Sequence, residues 1–575
     1  MKRLLAISTI ALCLTAVAAY AQQSPQRPAR PLSTAREDAL DPSPVDPAKD
    51  PKLNLFLNDW HNSKPRTEYG KLIVQDILTK LDSTDPLHPH KAGAVLSEIT
   101  AVSHATLPPG QAVTGRSKAS VREIYYTIEG QGTVTVAGKD HAVKEGIGFT
   151  LTPDFGFKLV NTGKKPLNFY VRTEDVPPMT KPNPDIVVVN RFDADRRIGA
   201  HWVHTCNGGP QGLNLCTVAP HTMPQPHSHP GEEVWIMVKG DSVLSLGKAL
   251  VHMRPGQAYR IPPTGVDAHS NLNLTEEPVQ LLYLGPADRT VDQAMVADRA
   301  KTTGPANLAN MDFARLDNSA LNIPTEPDAD MFMGNRKDAW PRVEHGNLYI
   351  RDMLTALQPG GDPLHPTRKG AVLTNAQAVS YAMLEPGSTA HPADGEFKSL
   401  QETFVVNSGI GTVSAGGKSF DLAKGKAFIL TPGMDFKITA KGDQYLTFYV
   451  VAETLPDGFT PKMALNVVDN SKAPQTLANW YNKERPLITK ADGMSQYGAV
   501  TEVQLQSMAM ARPYSAAKDV EEIWIATDGD TELLFGKALR MVPAGTAYRV
   551  PSTGLMAHAH INVTSKSAHF LYMVK

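Results

Sequence analysis

The stretch His227-Ser-His229-Pro-Gly-Glu-Glu233-Val-Trp-Ile-Met-Val-Lys-Gly240 holds the residue types in this chain best suited to chemistry. His227, His229 and Glu233 share parity, so on an extended strand with a period of two their side chains face one way. His269 follows within Gly256-Gln-Ala-Tyr-Arg-Ile-Pro-Pro-Thr-Gly265-Val-Asp-Ala-His269-Ser-Asn-Leu-Asn273. Three imidazoles and one carboxylate brought to one point suit one divalent transition metal (Fe, Mn, Cu, Ni or Zn) with open positions for water or substrate. A cation there polarises a bound oxygen, lowers the pKa of water, or binds dioxygen beside a chelating substrate. No nucleophile elbow, Walker loop or dinucleotide fingerprint competes with this reading, and no CxxC pair exists.

The elements that must position these side chains read as β. Thr133-Val-Thr-Val136, Phe404-Val-Val406 and Val234-Trp-Ile-Met-Val238 are β-rich runs bounded by Gly pairs and Asn-Gly or Asp-Gly turns. Many short strands with turns between them imply a barrel or sandwich, and the 43 Gly and 45 Pro agree. Gly130-Gln-Gly132 and Gly409-Ile-Gly411 read as hairpin turns. Tyr69 to Leu78 fits either a helix or a strand.

The chain repeats itself. Asp85-Pro-Leu-His-Pro89 recurs as Asp362-Pro-Leu-His-Pro366, and Phe169-Tyr-Val171 as Phe448-Tyr-Val450. Gly247-Lys-Ala-Leu250 recurs as Gly536-Lys-Ala-Leu539, and Ala258-Tyr-Arg260 as Ala547-Tyr-Arg549. The matches are collinear, so the chain is a duplicated unit of two modules. The division expected is a leader at 1–21, a Pro-rich linker at 22–50, modules at 51–178 and 179–300, a connector with short helix at 301–334, and modules at 335–460 and 461–575.

With these residues in place, the second module resembles the cupin superfamily. His227, His229, Glu233 and Gly240 match the core spacing of its first motif, G-x5-H-x-H-x3,4-E-x6-G, although the upstream Gly is missing and His221 stands near its place. Gly256, Pro262, Gly265, His269 and Asn273 match its second motif, G-x5-P-x-G-x2-H-x3-N, with two extra residues between Pro262 and His269. The resemblance implies an all-β chain of four double-stranded β-helix (cupin or jelly-roll) barrels arranged as two bicupin halves. It also implies His227, His229, Glu233 and His269 as metal ligands. Cupins with this ligand set include dioxygenases, decarboxylases, isomerases and lyases, and their substrates carry vicinal oxygens that chelate the metal. The expectation is a metal-dependent oxygenase or other oxidoreductase acting on a small oxygenated metabolite. The alternatives are a cupin isomerase, lyase or decarboxylase acting on a sugar or carboxylic acid, and a non-catalytic binding protein.

The other modules depart from the motif. The repeat maps His227 to Ala516, His229 to Lys518, Glu233 to Glu522 and His269 to His558, and Lys518 is expected to pair with Glu522 in place of a cation. In the first module Glu123 takes the Glu position, with Ala119, Ser117 and Phe157 where ligands would be. In the third the equivalents are Glu402, Lys398, Glu396 and Phe436, so both pockets are expected to be plugged by an aromatic ring. Glu232 has the opposite parity to Glu233 and should face solvent or a neighbouring barrel. Tyr259 and Arg260 recur as Tyr548 and Arg549 in a module without ligands, which points to a shared structural role. His88, His90 and His365 sit in turn segments. His201 and His204 either line the second pocket or mark an ordinary strand, and His221 is a candidate donor orienting a ligand.

Lys and Arg total 57 and Asp and Glu 58, for a net charge of −1, which excludes a polyanion binder driven by bulk charge and argues against nucleic acid as partner. Lys2, Arg3, the apolar run Leu4 to Val17 and Ala19-Tyr-Ala21 read as a secretory signal, so export to the periplasm or beyond is expected. No later run is long enough to span a membrane. Of the remaining cysteines, Cys206 and Cys216 either bridge in an oxidising compartment or stay as buried thiols. The expected partner is a small-molecule substrate, and the chain is expected to be a monomer or homodimer.

Overall fold

The computed structural model describes residues 43–175, 188–190, 196–198, 204–207, 213–224, 226, 232–264, 269–285, 327–392, 399–536, 538–553 and 556–575. The expected leader, the linker as far as residue 42 and connector residues 301–326 lie outside the described residues. The described chain is all-β, interrupted by single 3-10 turns at Leu53–Leu55, Trp60–Asn62, Ala329–Phe332 and Lys490–Asp492. Among these residues no helix is long and apolar enough to cross a membrane.

Alternation builds the strands. Gln131–Val136 buries Gly132, Val134 and Val136 and turns Gln131, Thr133 and Thr135 outward. Ile410–Ala415 repeats this pattern. The β-branched residues of both runs suit a half-buried pleated surface. The turns before them need glycine. Gly130 and Gly409 sit at φ +89° and +81°, and a Cβ there would meet the Pro166 carbonyl oxygen at 2.4 Å or that of Tyr445 at 2.3 Å. Tyr69 to Leu78 resolves into a left-handed turn at Tyr69-Gly70 followed by the strand Leu72–Lys80.

The first and third modules each pair one eight-stranded sheet with one four-stranded sheet. Their cores repeat as aromatic triads. Tyr125 stacks on Phe149 at 4.8 Å with Phe169 edge-on, and Phe404 stacks on Phe428 at 5.0 Å with Phe448 edge-on. The second and fourth modules each have a seven-stranded sheet, and share an eight-stranded sheet in which Ala249 pairs with Ala509.

Adjacent modules exchange strands. Leu57–Asp59 pairs with Gln257–Arg260 of the second module, while Val188–Asn190 pairs with Ile147–Leu151 of the first. The second half does the same with Met333–Asn335 on Thr546–Val550 and Val467–Asp469 on Lys426–Leu430. Each exchanged strand covers an edge that would otherwise present unpaired backbone groups. Cys206 and Cys216 are register partners in the antiparallel strands His204–Asn207 and Leu213–Val218, and Cys216 is disulfide-bonded.

Rings also pack where the first two modules meet. Trp60 stacks on His104 at 4.1 Å and on His61 at 3.6 Å. Burial, helped by the charge of His61, pushes the His104 pKa down from 6.5 to about 4. Below pH 6.5 the unfolded chain takes up a proton that the native His104 refuses until about pH 4. Its contribution is therefore intact above pH 6.5 and is lost as pH falls through that window. Urea unfolding at pH 7 and pH 5 should show a smaller pH penalty in His104→Gln than in the parent. An equal penalty in both proteins would reject the assignment.

Candidate metal centre

Glu233 stands immediately before the strand Val234–Lys239, whose first four side chains are buried. That strand lies between Gln257–Arg260 and Val279–Leu284 in the seven-stranded sheet. His269 opens the strand His269–Leu272, opposite Leu246 in the shared sheet. The two side chains therefore come from different sheets, yet His269 Nε2 lies 3.0 Å from Glu233 Oε1 and both residues are buried. Trp235, two residues along the same strand face, donates its indole N–H to Glu233 Oε1 at 2.6 Å. Tyr283 packs against the Trp235 ring at 5.1 Å.

His227, His229 and Gly265 lie outside the described residues. The structure thus brings together two of the four sequence-derived ligands, and among the described residues no group of three His, Cys, Asp or Glu forms a metal cluster. The donors in place fit the group. A buried carboxylate and a buried imidazole converge from two sheets, and both are donor types a borderline divalent cation accepts.

Each other module keeps the buried carboxylate and satisfies it differently. Glu123 accepts from Tyr69 Oη at 2.8 Å and Tyr125 Oη at 3.3 Å, and Phe157 meets the Tyr69 ring edge-on at 4.8 Å. Burial still raises the Glu123 pKa against the pull of these donors. Glu402 bonds His345 Nε2 at 2.7 Å, with Phe436 edge-on to the imidazole at 5.2 Å. Burial opposes the His345 charge, but the bond to Glu402 and its charge raise the pKa overall. Tyr69 and His345 occupy equivalent left-handed turns, each followed by glycine. The aromatic rings expected to plug these pockets are there, but the groups reaching the carboxylates are Tyr69 and His345, which the sequence reading missed. Their signal was the aligned pair Tyr69-Gly70 and His345-Gly346. Ala119 carries no donor atom, the buried Ser117 hydroxyl donates to the Thr152 carbonyl, Lys118 Nζ lies 3.9 Å from Glu123 Oε1, and Glu396 and Lys398 lie outside the described residues.

In the fourth module the expected Lys518–Glu522 ion pair does not form. Lys518 is exposed, and Glu522 Oε1 accepts instead from Tyr514 Oη at 2.6 Å and Trp524 Nε1 at 2.7 Å, with His558 Nε2 at 3.0 Å. Lys518 lies just before the strand Glu522–Asp528, among exposed residues 517–519, where its ammonium stays hydrated. Burial would raise the Glu522 pKa, but the His558 charge and the three hydrogen bonds hold it below the usual carboxylate range.

His221 also departs from expectation. Its Nε2 bonds Glu276 at 2.9 Å at the surface, and among the described residues it reaches no candidate ligand. His88 and His365 bond Asp85 and Asp362 within exposed turns, at 2.7 and 2.8 Å. The side chains of His201 and His204 lie outside the described residues. Glu232 faces the neighbouring module, where Oε2 accepts from Ser97 N and Oγ at 2.5 and 2.6 Å and Oε1 accepts from Ile99 N at 2.8 Å. Arg260 and Arg549 share a role: Arg260 donates to the Val95 carbonyl at 2.6 Å and Arg549 to that of Pro363 at 3.1 Å. Tyr259 accepts from Asn271 at 2.8 Å, and Tyr548 meets His560 at 2.5 Å.

The family model described as "Cupin domain" matches residues 103–172 and 214–285. No curated protein sequence matches the chain. Among solved structures, protein Ylba from E. coli is similar at 15% identity and a TM-score of 0.32, covering 44% of this chain and 96% of that one. Oxalate decarboxylase from Bacillus subtilis is similar at 15% identity and a TM-score of 0.33, covering 44% of this chain and 78% of that one. The vicilin from Solanum melongena is similar at 11% identity and a TM-score of 0.33, covering 43% and 84%. The matched segments fall on the strand-rich first and second modules, so it is these two stretches of the chain that match the cupin domain.

Proposed function

We propose that the protein is an exported, mononuclear-metal cupin enzyme, an oxygenase or other oxidoreductase acting on a small metal-chelating oxygenated metabolite. The observation that carries this reading is the buried contact of Glu233 with His269 across two sheets, in the one module whose sequence also supplies His227 and His229. These four residues would hold one divalent transition metal. When bound, it supplies Lewis-acid or redox chemistry to an oxygen-bearing ligand.

The chain's own residues do the rest. Trp235 fixes one carboxylate oxygen of Glu233, so the ligand enters with its rotamer set. Buried Trp235 beside Glu233 and buried Leu246 opposite His269 give the pair an apolar surround.

Elemental analysis of residues 22–575 beside a His227→Ala, His229→Ala variant tests the proposal. About one equivalent of Fe, Mn, Cu, Ni or Zn, lost in the variant, is the expected result. Fe or Cu would lead to oxygen-uptake assays with enediols and phenols. Mn would lead to decarboxylation assays, and Zn or Ni to isomerase and lyase panels. No metal in either protein after reconstitution would overturn the enzyme reading and leave a binding protein.

A further inference from the structure

The Glu522 centre repeats two contacts of the Glu233 centre. In both, a glutamate Oε1 meets a histidine Nε2 at 3.0 Å and accepts from a tryptophan Nε1, at 2.6 Å in the second module and 2.7 Å in the fourth. In the fourth centre the described residues also place a phenol on the carboxylate. Tyr514 lies on the short strand Tyr514–Ser515, directly opposite His558 in the ladder. Its ring meets the His558 imidazole edge-on at 4.3 Å, and its hydroxyl donates to the same oxygen, Glu522 Oε1, at 2.6 Å. The aligned position in the second module is Gln225, two residues before His227.

We propose that the Tyr514 hydroxyl is a built-in occupant of the fourth module's ligand position, and that withdrawing it uncovers a latent divalent-cation site on Glu522 and His558. The chemistry is a substitution of one electrophile for another. A buried carboxylate must be met by a cation or by donors. Tyr514, Trp524 and His558 together supply three donors to one oxygen. The phenol also fills the space beside the imidazole that a cation would need. Loss of the two histidine ligands at Ala516 and Lys518 is thus only half of the module's change, and the gain of Tyr514 is the other half. The inference rests on the ligand positions read in the second module.

The test is done in the full chain with His269→Ala, combined with His227→Ala and His229→Ala so that no three-donor set remains in the second module, which separates failure of this inference from failure of the metal reading. Co2+ binding is followed by its visible absorption and by equilibrium dialysis. With Tyr514 intact, this triple variant should bind no Co2+ at the fourth module, and adding His558→Ala should change nothing. Adding Ala516→His restores one donor at a buried position, and adding Tyr514→Gln to it should tighten Co2+ binding by roughly tenfold or more. Equal affinity with and without Tyr514→Gln would overturn the inference. So would Co2+ binding in the triple variant that is lost on adding His558→Ala.

Tyr514→Phe guards against failure to fold, because it removes only the hydroxyl. It should lower the melting temperature and move the His558 imidazole NMR signals. An unchanged melting temperature with unmoved His558 signals would likewise overturn the proposal.

Discussion

Glu232→Ala is expected to destabilise the protein by about 3–5 kcal/mol, the range for breaking a buried ion pair from one side. The residue beside the candidate ligand Glu233 is a clamp between modules. Both of its oxygens are used: Ser97 N and Oγ on Oε2, and Ile99 N at 2.8 Å with Glu98 N at 3.2 Å on Oε1. Arg260 adds an ion pair at 3.4 Å, and both partners are buried. Alanine would leave the buried Ile99 N–H and the buried Arg260 guanidinium without their anion, and would take it from the N–H groups of the exposed Ser97 and Glu98 as well. The second half repeats the clamp, with Glu521 accepting from Thr374 N at 2.5 Å and Thr374 Oγ1 at 2.7 Å and pairing with Arg549 at 3.5 Å. Glu521→Ala should therefore cost a similar amount. Urea unfolding measures both. A double variant Glu232→Ala, Arg260→Met should lose much less than the two single changes summed, because it removes both charges. A loss under about 1 kcal/mol for Glu232→Ala would show that solvent reaches the clamp.

Particular residues show what the sequence made legible. The parity of Glu233 against Glu232 assigned one to a site and the other to solvent or a neighbour, and the period of a strand is enough for that much. Internal duplication separated structural from chemical residues: Tyr259 and Arg260 recur where the ligands do not, and their hydrogen bonds lie at the seams between modules and sheets. Aligned repeats can mark Tyr69-Gly70 and His345-Gly346 as equivalent positions, but do not say which site such groups approach. Tyr69 and His345 reach Glu123 and Glu402 from turns 54 and 57 residues away in sequence. The Lys518 expectation failed for a related reason. Alignment placed an ammonium near Glu522 by register, but the local chain turned it to water, and Tyr514 on a facing strand took its place. The exchange of strands between modules was also hidden, since Leu57–Asp59 and Val188–Asn190 are too short to announce their partners.

Glu233→Gln separates a metal ligand from a core hydrogen bond, and its effect on metal affinity is expected to be the larger of its two consequences. The substitution keeps volume and keeps a carbonyl oxygen for the Trp235 indole, which now donates at 2.6 Å. What is lost is the charge facing His269 Nε2 at 3.0 Å. In the metal-free protein this exchanges a charge-assisted bond for a neutral one, a stability change of about 1 kcal/mol. In the loaded protein it removes an anionic donor, and Co2+ or Zn2+ affinity should fall by roughly 100-fold or more. Trp235→Phe should fall between the two. It leaves Glu233 in place without the donor that orients it, so affinity drops by roughly tenfold while the carboxylate still binds. The order wild type, Trp235→Phe, Glu233→Gln in metal affinity, set beside nearly level urea midpoints without metal, is the signature of a ligand held by an orienting indole. Undiminished affinity in Glu233→Gln would assign the Glu233–His269 contact to the core alone, with the same meaning as the Glu402–His345 pair in the third module.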